Sequence, residues 1–336
     1  MARFVPIVVL LVACGSPPGQ AEGEGAGSGT SGAEAEAVPD PPAAPSAAEM
    51  LAAMEPAAID PTDHDRIREI AGASAPRVFF LAQIPLIAAS GRLQRDEGEA
   101  GCPSVVTEGE VMTLRGGCVD EEGTRWTGEA VLRGMRGGER AGSATYRVFG
   151  FQKRVECDGG PQRSEWQANG SLVVEPDGEG LRFTIDLSFQ GGGVDQECRP
   201  MEGTGALQYS GRQLQSGEAT RWSGSGHYGW RGFGKVEAST EDELVNQRNC
   251  RHEALMGSTT VRSAGHEVSF RYDGESDCSE EATTPWSFDG EPQGELSKVG
   301  CSAAGGGAGP LAPWLLAPLL LLATRARRPS RRTPTR

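Results

Sequence analysis

The sequence predicts an all-β fold: an antiparallel meander, sandwich or barrel made of hairpin units of about 40 residues, stapled by disulfides and preceded by a disordered tether. Three observations carry that expectation. Apolar and polar residues alternate in several stretches, which puts one face of a strand in a core and the other in water. Short turn signals separate these stretches, so neighbouring strands should pair as hairpins rather than cross over through helices. Tryptophans and cysteines also recur at a nearly constant interval.

The clearest strand runs from Leu181 to Phe189. Leu181, Phe183, Ile185, Leu187 and Phe189 alternate there with Arg182, Thr184, Asp186 and Ser188. Val268, Phe270 and Tyr272 repeat the pattern against Glu267, Ser269 and Arg271. Glu175-Pro176-Asp177-Gly178 supplies a turn before Leu181, and Arg136-Gly137-Gly138 supplies one before Tyr146. Trp126, Trp166 and Trp286 fall at multiples of 40 residues, and Cys118, Cys157, Cys198 and Cys278 keep close to the same period. After Cys198 the tryptophan is missing, and Gly203-Thr204-Gly205 stands in its place. A hairpin unit used several times explains this layout. The exception to alternation is Val78 to Ile87, an apolar run that fits a buried strand or a helix equally.

Upstream of the strands, Ser46 to Met54 and Asp63 to Ile70 carry short helical patterns. His64 sits between Asp63 and Asp65, which reads as a solvated helix start rather than a metal site. Gly15 to Ala48 is almost entirely Gly, Ala, Ser, Pro and Glu, and such a stretch buries too little apolar surface to offset its ordering entropy. The expected division is therefore a processing segment over 1–13, a tether over 14–48, a short helical segment over 49–74, a β-rich domain over 75–299 and a tail over 300–336.

Composition narrows the function classes. Glycine (48) and proline (22) make up about a fifth of the chain, and aromatics only 6%, so Val, Leu and Ile must build much of the core. Setting aside Arg3 and the six arginines after residue 324 takes the formal charge from −14 to −21. A body that acidic disfavours nucleic acid as a partner.

The two ends carry the most specific signals. Arg3 precedes the apolar stretch Phe4 to Val12, which is too short to span a bilayer, and Leu11-Val12-Ala13-Cys14 follows. That run resembles the lipobox of bacterial lipoproteins. The resemblance implies cleavage before Cys14, acylation of its thiol (with palmitate among the chains), and a membrane held through lipid as the first partner. At the other end, Cys301 opens a Gly/Ala stretch, Leu311 to Ala323 is apolar but broken by Pro313 and Pro318, and an arginine cluster follows. Cysteine, small residues, apolar segment and arginines in that order resemble the myxobacterial C-terminal sorting tail, which implies processing near Cys301 on the way to the cell surface. The alternative is a plain transmembrane helix. The expected location is the bacterial cell envelope, at the outer membrane or the cell surface, held by the lipid anchor that the resemblance implies.

Without Cys14 and Cys301, six cysteines remain: Cys102, Cys118, Cys157, Cys198, Cys250 and Cys278. An even number in an exported chain implies disulfides. Proximity favours Cys102–Cys118, Cys250–Cys278 and Cys157–Cys198. The last pair meets a difficulty, because equivalent positions two strands apart in a flat sheet lie roughly 9–10 Å from each other, beyond disulfide reach. It requires loops that fold inward. No C-x-x-C occurs and Cys250-Arg251-His252 alone is weak, so neither metal nor cofactor is expected.

Catalytic motifs are missing. His227, His252 and His266 lie in no recognisable nucleophile or zinc signature. Glu121-Glu122 and Glu280-Glu281 are loop carboxylates, either solvated or weak ligands for Ca²⁺. Trp222, Tyr228, Trp230 and Phe233 form an aromatic group among glycines that could face a ligand, though plugging a small core is the commoner use of such residues. The expected function is a binding or structural module of the envelope, with a glycan or an envelope protein as partner. The alternative is an envelope hydrolase acting through carboxylates that form no visible motif.

Overall fold

The structure is a computed structural model that describes residues 44–93, 101–134, 141–194, 198, 200–246, 254–272, 283–297 and 299. Four helices come first: α1 (Ala47–Ala53), α2 (His64–Ala71), α3 (Ala75–Ala88) and the single turn α4 (Ser90–Leu93). Fourteen strands follow: β1 (Ser104–Glu108), β2 (Val111–Arg115), β3 (Cys118–Val119), β4 (Arg125–Arg133), β5 (Gly142–Val155), β6 (Gln162–Asp177), β7 (Gly180–Val194), β8 (Pro200–Ser216), β9 (Ala219–Trp230), β10 (Gly234–Val245), β11 (Met256–Ser263), β12 (His266–Tyr272), β13 (Thr283–Phe288) and β14 (Glu291–Ser297). All belong to one antiparallel sheet in chain order, with β3 paired only to β4.

Of the three arrangements expected, the meander is the one formed. Strand β7 shows why: Phe183, Ile185, Leu187 and Phe189 are buried while Arg182, Thr184 and Asp186 face water. Gly178-Glu179 closes the β6–β7 hairpin, with Gly178 in the left-handed conformation that such a turn needs. The hairpin unit is visible as a rung across five strands, in which Trp126 pairs with Phe151, Phe151 with Trp166, Trp166 with Gly191 and Gly191 with Gly203. Trp286 breaks the phase, because it lies on β13, an odd-numbered strand.

Helices α2 and α3 fill the inner face. A flat sheet on this thirteen-strand path would be about 58 Å wide at about 4.8 Å per strand, whereas α3 is about 21 Å long. The helices nonetheless touch the sheet from end to end. Arg68 of α2 donates to the Ser297 carbonyl on β14, Phe79 of α3 packs on Phe183 and Trp222, the Ala82 carbonyl accepts from Tyr146 on β5, and Arg92 donates to Pro103 beside β1. The sheet must therefore curl around the helices. Among the described residues β1 and β14 do not pair, so the curl stays open.

The run left open as strand or helix is α3. Pro76 in its first turn suits a helix start, and an apolar surface on all sides suits a helix enclosed by a sheet. Helix α1 lies on the opposite face, where Leu51 and Ala47 cover Ala206 of β8. The fold thus begins earlier than residue 75, and the last few residues of the expected tether are docked: the Pro45 carbonyl accepts from Ser188 Oγ at 2.6 Å.

Cys102–Cys118 and Cys157–Cys198 are both disulfides. Cys157 and Cys198 lie in the β5–β6 and β7–β8 connections, which neighbour each other because β6 and β7 are paired, and their Cα atoms come within 5.7 Å. The two cysteines thus meet within disulfide reach. Cys14, Cys250, Cys278 and Cys301 fall outside the described residues.

Candidate functional site

Strand β10 begins with ordinary alternation, and Val236, Ala238 and Thr240 point into the core. A third step of two would turn Asp242 inward. Instead the ladder slips between Thr240 and Glu243, and Asp242 takes the left-handed conformation (φ 51°). A bulge of this kind re-aims the residue that follows it. Asp242 stays exposed and Glu243 enters the core at 5% exposure.

Glu243 meets hydroxyl groups from both sheet and helix. Thr259 Oγ1 of β11 donates to Glu243 Oε2 at 3.0 Å, and Thr259 and Thr240 hydroxyls lie 3.4 Å apart. Thr240 Oγ1 accepts from the Ala75 N–H at 2.9 Å and lies 3.3 Å from the Tyr209 hydroxyl of β8. Ser74, the N-cap of α3, leaves its own helix uncapped and bonds Glu243 instead. A sheet threonine therefore satisfies the N–H of Ala75, and the helix cap residue serves the carboxyl. Arg77, in the first turn of α3, is the cation that acts on Glu243.

Burial raises the Glu243 pKa to about 7, against smaller opposing effects of Arg77 and the hydroxyls of Thr259 and Ser74. Burial likewise pushes the Tyr209 phenol well above its ordinary range. The cluster thus holds one carboxyl that gains or loses its proton near neutrality. It is sealed under α3, and among the described residues its partners are hydroxyls and an arginine rather than a second carboxylate. That arrangement lacks the paired carboxylates of a glycosidase-type acid and base.

The chain matches no protein-family model, no curated protein and no solved structure. Function must accordingly be argued from the geometry itself.

The aromatic group singled out from sequence is placed in the core. Trp222, Tyr228, Trp230 and Phe233 are all under 8% exposed. Trp222 packs against both Phe79 and Phe183, while Trp230 stacks on Phe233 at 3.9 Å and Arg66 of α2 lies over the Phe233 ring. These residues receive the plug helices. His64 packs edge-on to Trp286, and His266 pairs with Asp289 at 2.8 Å. Beside Glu121-Glu122, the carboxylate of Asp120 organises the loop, accepting from the N–H groups of Glu122 and Thr124 and from Trp126 Nε1. Glu280-Glu281 and His252 lie outside the described residues. Among the described residues no group of three or more His, Cys, Asp or Glu side chains could hold a metal ion. Sequence reasoning missed Glu243, because it sits in the acidic run Glu241-Asp242-Glu243, which reads as a solvated edge.

Proposed function

We propose that this chain is an exported, lipid-anchored module of the cell envelope whose curled sheet has a binding or structural role. The observation that carries the reading is the presence of two disulfides, Cys102–Cys118 and Cys157–Cys198, a feature of oxidising compartments. Three further points support it. About thirty residues composed almost entirely of Gly, Ala, Ser, Pro and Glu separate Cys14 from Pro45, a composition that suits a spacer between an acylated thiol and the domain. The outer sheet face carries cross-strand ion pairs, such as Glu129 between Arg115 and Arg147 and Asp177 between Arg182 and Arg212, which suit a solvated display surface. The inner face is filled by the protein's own helices. On this reading the membrane is the first partner, and a glycan or envelope protein bound on the polar face is the second. The apolar tail with its arginines fits a sorting signal.

A hydrolase has one observation in its favour, the near-neutral carboxyl of Glu243, and its closed position counts against it. The deciding experiment is metabolic labelling of the expressed protein with a fatty-acid probe, beside a Cys14→Ser variant. Label in the parent, lost together with membrane fractionation in the variant, is the expected result. An unlabelled parent that fractionates like the variant overturns the anchor. A glycan and envelope-protein binding screen then tests the partner class.

A further inference from the structure

We infer that Glu243 is a proton-operated latch between the sheet and helix α3: neutral, it holds the first turn of the helix in the core, and ionised, it loosens that turn. The inference goes beyond the anchoring proposal and does not depend on it.

The geometry rests on three facts. The bulge at Asp242 lies on a strand whose alternation would otherwise keep this glutamate in water, and it is what turns Glu243 into the core. The groups that meet Glu243 come from separate elements: Ser74 and Arg77 from the start of α3, Thr259 from β11, and Thr240 and Tyr209 next in the chain of hydroxyls. The same hydroxyl chain ends on the N–H of Ala75, the first residue of α3. A change at the carboxyl is therefore felt at the helix start through both the Ser74 and the Thr240 contacts.

The protonated carboxyl, uncharged, fits an environment of hydroxyls beside the buried Trp222, its register partner on β9. The carboxylate is favoured by Arg77 and by the hydroxyls of Thr259 and Ser74, but burial takes its charge from water and outweighs them. Arg77 also donates to the Val299 carbonyl and acts on the Tyr228 phenol, which in turn feels Glu69 of α2. Tyr209 is the titratable group facing Glu243 from β8, and burial keeps it neutral across the range concerned. Glu243 is thus the group of this cluster that changes charge near pH 7. Once ionised it is solvated better if the first turn of α3 lifts and water enters. Gly72-Ala73, between α2 and α3, lies where that lift would pivot.

Hydrogen exchange by mass spectrometry on the full chain in detergent tests this, following peptides across residues 74–82 between pH 5.5 and 8.5 and correcting each rate for intrinsic exchange. Protection of these amides should fall about tenfold or more across that range, while peptides within β7 stay constant. In Glu243→Gln the fall should vanish. A fall that persists in the glutamine variant, or constant protection in the parent, overturns the latch. Should Glu243→Gln not fold, Thr259→Val gives a second reading. Losing a donor that favours the carboxylate should move the midpoint to higher pH, and an unmoved midpoint counts against the inference.

Discussion

At the scale of single residues, this fold depends on where side chains are missing as much as on where they are present. Gly191 lies opposite Trp166 on the rung that defines the hairpin unit, and a Cβ built there would come within 2.5 Å of the indole. Gly191→Ala should therefore cost about 1–3 kcal/mol through overpacking, measured by urea unfolding. Glu243 makes the opposite kind of demand. Its pKa of about 7 when folded exceeds the ordinary 4.5, so the native state binds more protons than the unfolded chain between those values. Stability should fall as pH rises from about 4.5 to about 7 and level off above that. In Glu243→Gln this slope should flatten, and unfolding midpoints at pH 5, 6, 7 and 8 would show it. The rung was legible in the sequence, because tryptophan spacing is a property of the pattern. The burial of Glu243 was not, because a bulge shifts the register by one residue and no composition marks it.

Among the elements, strands were far easier to read than the relation of the helices to them. Period-two alternation states which face of β7 or β12 is dry, since each strand has one wet face. Helix α3 has no wet face to reveal its period, so Val78 to Ile87 stayed ambiguous until the enclosing sheet was known. The aromatic residues Trp222, Tyr228, Trp230 and Phe233 were ambiguous for the same reason, and the plug helices are what cover them. Helix α1 was legible as a helix, with Ser46 and Glu49 forming a reciprocal cap, but its docking on the outer face was not. That docking is small and local. Leu51 and Ala47 cover Ala206, and Lys235 ties the strap that follows, accepting from the Ala57 N–H and donating its own N–H to the Glu55 carbonyl. Leu51→Ala should cost about 2–3 kcal/mol and hasten proteolysis near residue 55, with the sheet left intact; limited digestion compared with the parent would show it.

For the molecule as a whole, an open meander has a specific weakness: among the described residues both ends of the 14-stranded sheet are edges, and each strand is held by its neighbours and by the helices packed on the sheet. One disulfide acts at an edge and the other in the middle of the sheet. Cys102–Cys118 ties the start of the first edge strand to β3, and Cys157–Cys198 ties two hairpin loops across the β6–β7 pair. Chain-entropy arguments assign about 3 kcal/mol to the shorter loop and about 4 kcal/mol to the longer one. Reductant should therefore lower the urea midpoint of the parent. Replacing Cys102 and Cys118 with alanine, or Cys157 and Cys198, should remove part of that response. The variant lacking all four isolates what is left. Cys250 and Cys278, which proximity pairs, are then the remaining cysteines of the β-rich region. A residual response that disappears on Cys250→Ala would assign a third bridge between β10–β11 and β12–β13 connections, and the meander would then be stapled near both edges. A variant that no longer responds to reductant would leave the β12–β14 end held by its strand pairing and by helix contacts, among them Arg68 and His64 of α2 and Arg77 of α3.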